Sequence, residues 1–158
     1  MEAEKCFNKA IELNPTDSVI FANKGFMYLQ ISEYEKALES YKKAYELDNN
    51  IHNIVCLANA YVEIYDFPNA DKYFDLARKM DDRNEEYLTA MAQYLLYQEK
   101  LDESLEYWDK LLDINPDQAE VWVYKAMVHM MANNNLEAAK CIQKASEIDP
   151  EILDFVEN

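Results

Sequence analysis

The side chains of this sequence that could do chemistry are two histidines, three cysteines and many paired carboxylates. His52 and Cys56 stand four residues apart, which on a helix puts imidazole and thiol on one face, as half of a zinc-type site. Structural zinc normally takes four ligands, and no CxxC or second such pair accompanies them, so neither a metal nor a cofactor is expected. Cys6, Cys56 and Cys141 are odd in number and far apart, the pattern of reduced thiols in a cytoplasmic protein. His52 and His129 fall in different segments, so no Ser–His–Asp or Cys–His arrangement can be argued from them. Asp81–Asp82, Glu85–Glu86 and Asp102–Glu103 fit turns and helix first turns, where acids suit the macrodipole and solvent rather than general acid–base work. One glycine cannot build a phosphate-cradling loop. The expectation is a chain with no catalytic residues and no enzyme activity of its own.

Composition narrows the partners. The 158 residues carry 31 acidic and 15 basic side chains, a formal charge of −16, so a phosphate backbone and an anionic membrane surface are both repelled. No apolar run approaches the ~20 residues of a membrane span, and no signal-peptide pattern opens the chain. Half of the residues are hydrophobic, while one glycine and four prolines are too few to punctuate a sheet, so the fold class is all-α.

A short theme then repeats along the chain: Ala, an aromatic or large apolar residue four later, a small or apolar residue three after that, and a closing Pro, Asn or Asp. It reads Ala3, Phe7, Ala10, Pro15; Ala37, Tyr41, Ala44, Asn49; Ala70, Phe74, Ala77, Asp82; Ser104, Trp108, Leu111, Pro116; and Ala138, Ile142, Ala145, Pro150. A period of about 34 residues is that of a helix–turn–helix solenoid. Units so short cannot bury their own apolar faces and must stack on their neighbours. In the second unit, helix A is expected roughly over Ser18–Ile31 with Phe21, Gly25, Tyr28 and Leu29 as its stripe, and helix B roughly over Glu33–Leu47. Ser18 and Ser32 are the expected N-caps. Gly25, Ala58, Ala92 and Ala126 stand where two helix axes must approach to about 8 Å.

On these residues the chain resembles the tetratricopeptide repeat (TPR) family, over nearly its whole length. The resemblance implies an α-solenoid of antiparallel helix pairs wound as a right-handed superhelix. Residues 1–17 would be a half repeat with helix B alone, followed by full repeats over 18–50, 51–84, 85–118 and 119–152, with 153–158 opening a further or capping helix. Both ends would thus be cut mid-unit, as in a piece of a longer array or a chain that self-associates through uncapped ends. Lys24, Lys125, His129 and Leu111 depart from the family pattern, and the two lysine stems are expected to snorkel to the groove rim. The pentatricopeptide RNA binders, of similar period, are disfavoured by the acidic charge.

In such arrays the A helices line a concave groove. The resemblance therefore places Asn23 and Phe26, with Val19, Ala22 and Gln30, on the groove wall, then Asn59 with His52, Val55, Cys56 and Glu63. Gln93 and Tyr97 follow with Glu86, Thr89 and Ala90, and Val123, Tyr124, Met127, Met130 and Met131 with Glu120. That wall is lightly charged, and its far end is rich in Met and Tyr, side chains suited to an irregular apolar ligand. The expected function is a non-catalytic, cytoplasmic scaffold holding a protein or peptide partner, such as an amphipathic helix, in the groove. A targeting or regulatory segment of a larger enzyme and a self-assembling structural repeat protein are the alternatives. Chaperone C-terminal tails are disfavoured, because the Lys/Asn/Arg clamp that grips their carboxylates is missing. Ala22, Phe26, Cys56, Glu86 and Ala90 stand at the matching positions, and Glu86 would repel a carboxylate.

Overall fold

The protein is described from a computed structural model, which defines residues 2–152. The further helix expected from Leu153, Phe155 and Val156 lies outside the described residues. Among those described there are nine α-helices and no strand: α1 (Glu2–Leu13), α2 (Ser18–Gln30), α3 (Tyr34–Leu47), α4 (Ile51–Glu63), α5 (Phe67–Met80), α6 (Glu85–Tyr97), α7 (Leu101–Ile114), α8 (Ala119–Met131) and α9 (Asn135–Ile148). They fall into two compact units, Met1–Asp82 with α1–α5 and Arg83–Asn158 with α6–α9. In each unit the closest pairs are sequential hairpins, α2/α3 and α4/α5 in the first, α6/α7 and α8/α9 in the second. The even-numbered helices are the A helices, the odd-numbered ones the B helices.

Local chemistry sets the helix starts. Asp17, not Ser18, caps α2, its carboxylate accepting from the Val19 N–H at 3.0 Å, and Ser18 is instead the first helical residue. Asn50 caps α4 and Asn84 caps α6 in the same way, each through its side-chain oxygen. Ser32 is no cap either; it sits in the left-handed region with φ 58°. The same turn recurs as Tyr65, Glu99 and Asn133, all with φ near 60°. In each case the residue after it returns an N–H to the carbonyl five back: Glu33 to Tyr28, Asp66 to Tyr61, Lys100 to Leu95 and Asn134 to His129. This is the Schellman way of ending a helix, normally built on glycine.

The repeated theme is the core. Ala37, Ala44, Ala70, Ala77, Ser104 and Trp108 are completely buried, with Tyr41 and Phe74 nearly so. Gly25 is needed for close approach: a Cβ there would stand 2.9 Å from the Tyr41 ring. Ser104 replaces the usual alanine without loss, because its hydroxyl donates to the Ala92 carbonyl across the hairpin at 2.8 Å. Asn53, buried in α4, donates to the Asp48 carbonyl at 2.8 Å and so satisfies the end of α3, where the Asn49 turn lacks the closing proline. The first copy behaves differently. In α1 no residue is buried, and the helix is tied to α2 by Tyr28 Oη donating to Glu4 Oε1 (2.6 Å) and Lys24 Nζ donating to Asn8 Oδ1 (2.9 Å).

Candidate functional site

The groove expectation puts the binding surface on the A-helix face left over after packing. On α2 that face carries exposed Asn23 and Phe26, and Asn59 is half-buried on α4; all three belong to the first unit. On α6 it carries Gln93 and Tyr97, both exposed. On α8 it carries Met127, Met130 and Met131, between 44% and 57% exposed, with Val123 half-buried beside them. Large apolar side chains normally cost free energy when left in water, and little more than one turn of a short helix holds three of them there.

Several groove expectations are corrected. Ala22, Val55 and Ala90 are buried and face the packing seam, not solvent. Tyr124 is half-buried, and its ring stacks on Trp108 with centroids 4.8 Å apart and planes 2° from parallel. It therefore belongs partly to the core. Neither lysine reaches for a groove rim. Lys125 ion-pairs with Asp109 on α7 and lies over the Trp122 ring at 5.2 Å, leaving 13% of its side chain exposed. Lys24 makes the equivalent reach to α1. Both long side chains thus tie an A helix to the B helix before it. His129 occupies the matching seam position to Tyr28 and is half-buried, with its Nδ1 shielded and unbonded.

The electrostatics of the seam are local. The carboxylate of Glu4 beside Tyr28 pushes the phenol up to about 12, and the same bond holds Glu4 below the usual carboxylate range. Burial pushes the Cys141 thiol up, away from the reactive thiolate. His52 and Cys56 do face each other on α4, Sγ to Nε2 3.7 Å, as their spacing predicts. No disulfide joins any of the three cysteines. Sequence reasoning missed other exposed apolar side chains, Leu13, Tyr65 and Leu136, because helix ends and turns carry no periodic signal.

Two tetratricopeptide repeat models match the sequence, one over residues 6–39 and the other over residues 89–151, together more than half of it. The chain belongs to the tetratricopeptide repeat family. This TPR chain is 33% identical to the Protein STIP1 homolog of Dictyostelium discoideum over 95 residues, 58% of the chain and 17% of that protein. It is 24% identical to anaphase-promoting complex subunit 3 of Schizosaccharomyces pombe over 153 residues, 95% of the chain and 23% of that protein. The TPR chain therefore spans about a fifth of the length of these curated relatives. The crystal structure of yeast Tom70 shares its fold, with a TM-score of 0.81 at 24% identity, over 96% of this chain and 33% of that one. Among the described residues of the TPR chain, no helix is long and apolar enough to cross a membrane.

Proposed function

We propose that this chain is a non-catalytic protein-interaction scaffold that holds a peptide or an amphipathic helix of a partner along the concave A-helix groove expected of a TPR array. The observation carrying this reading is the exposure of Met127, Met130 and Met131 on α8. These flexible, polarisable side chains are not consumed by the core and can mould to an apolar ligand. In the second unit Gln93 and Tyr97 supply the polar and aromatic remainder of the proposed surface, with Val123 and Tyr124 as its half-buried members on α8, and Asn23, Phe26 and Asn59 are the proposed binding residues of the first unit.

The relatives lend support by description: one is named as a subunit of a complex, and another, human TOM70, as a subunit of an import receptor. The non-catalytic part of the reading draws on the carboxylate pairs. Glu85 and Glu86 lie in the first turn of α6, and Asp102 and Glu103 in that of α7, where they suit the helix dipole. A cytoplasmic location belongs to the same proposal and rests on cysteines that form no disulfide.

The test is the double variant Met127→Asp, Met131→Asp, with Leu136→Asp on α9 as the control. Proteins captured by the wild-type chain from its own cell extract are purified and titrated against all three forms. Loss of binding only in the methionine variant, with the helical melt unchanged, is the expected result. Equal binding by all three forms refutes the reading.

A further inference from the structure

Thioether sulfur is unevenly distributed along this chain. Of its seven methionines, Met127, Met130 and Met131 fall within five residues of one another, and all three are exposed on α8. The buried positions of that helix are Ala119, Val121, Ala126 and Val128, so its packing consumes no methionine. Met127 is three residues from Met130 and four from Met131, spacings at which helix side chains are neighbours with Cβ atoms about 5–6 Å apart. The three directions span about 100° around the axis, with Met127 between the other two. Each side chain is unbranched and has three rotatable bonds, so three sulfurs can swing onto one point.

The setting suits a cation. Met127, Met130 and Met131 belong to the C-terminal end of α8, the negative pole of its macrodipole. The one lysine of α8, Lys125, is turned to Asp109 on α7. The formal charge of −16 raises the concentration of cations around the whole chain. His129 is not part of the cluster: two residues from Met127, it points to the other side of the helix and is half-buried in the seam, its Nδ1 shielded.

We propose that Met127, Met130 and Met131 form a trithioether site for a soft monovalent metal ion, copper(I). Thioether sulfur is a neutral, polarisable donor suited to copper(I), whereas magnesium, calcium and manganese take oxygen ligands. The proposal goes beyond the scaffold reading, which needs only the apolar area of these side chains and not their sulfur lone pairs. The competing account is that any unbranched or aliphatic residue would serve equally well at the three positions.

Silver(I) is the probe, because it shares the charge and softness of copper(I) and keeps one oxidation state. The chain carries Cys6→Ser and Cys56→Ser, since accessible thiols compete with thioethers for a soft ion. With 13C-labelled methionine methyl groups and a chloride-free buffer, the Met127, Met130 and Met131 signals should shift together along one binding curve. Met80, 50% exposed and the only methionine of α5, should not move over that range. Met130→Leu should weaken the response of the other two about tenfold or more, the scale on which metal sites answer a lost partner. The triple variant Met127→Leu, Met130→Leu, Met131→Leu keeps the apolar volume, so it should lose one silver(I) site by calorimetry with its helical melt unchanged. Signals that shift on separate curves or in step with Met80, or an unchanged stoichiometry in the leucine variant, overturn the site. Because leucine preserves the apolar area, that failure leaves the scaffold reading standing.

Discussion

Trp108 shows how much one position of the repeat can carry. Its ring is completely buried in α7 and lies flat against Tyr124, and its Nε1 is enclosed without a hydrogen-bond partner. Removing the ring leaves a cavity that short helices can only partly close. Trp108→Ala should therefore lose about 3–5 kcal/mol in a urea melt. Trp108→Phe should lose clearly less, because the missing indole N–H had no partner to abandon. The role of Trp108 was legible in the sequence, since it holds the aromatic place of the repeated theme. The partial burial of Tyr124 was not, because helical spacing alone puts it as close to the groove as to the seam. Only the ring geometry shows that Trp108 takes one of its faces.

At the scale of elements, helix extents follow the sequence closely, whereas helix ends do not. The Ser18–Ile31 and Glu33–Leu47 expectations match α2 and α3 to within a residue or so at each end. The turns between A and B helices are the surprise. All four require a left-handed residue, and the only glycine of the chain is spent inside α2, under Tyr41. Ser32, Tyr65, Glu99 and Asn133 are held there by the bond that the residue after each donates from its N–H, to the Tyr28, Tyr61, Leu95 and His129 carbonyls respectively. A left-handed conformation costs an ordinary residue about 1–2 kcal/mol, which glycine avoids. Glu99 is exposed, so Glu99→Gly should raise the melting temperature by about 2–4 °C. Glu99→Ala should give no such gain, since it keeps the Cβ that causes the strain. A fall in melting temperature for the glycine variant would show that the turn is not strained.

The whole molecule is dominated by its charge. The formal −16 is spread over short helices, with Lys–Glu and Lys–Asp pairs three or four residues apart on their exposed faces. Such pairs each contribute little, so net self-repulsion should outweigh them. Raising the salt concentration shortens the Debye length from about 30 Å at 0.01 M to about 8 Å at 0.15 M. The thermal midpoint by circular dichroism should accordingly rise over that range. A midpoint that falls would mean that the surface ion pairs outweigh the repulsion.

The repeated spacing of Ala, aromatic and small residues by itself determined the helical class, the hairpin plan and most of the buried positions. The cause is that a helix has one period, and burial must follow it. Contacts between helices close in space decided the rest: which lysine ties down a neighbour, which tyrosine is half core, and which methionines remain in water. Periodicity names the face of a helix, but it cannot say how much of that face the neighbouring helix covers.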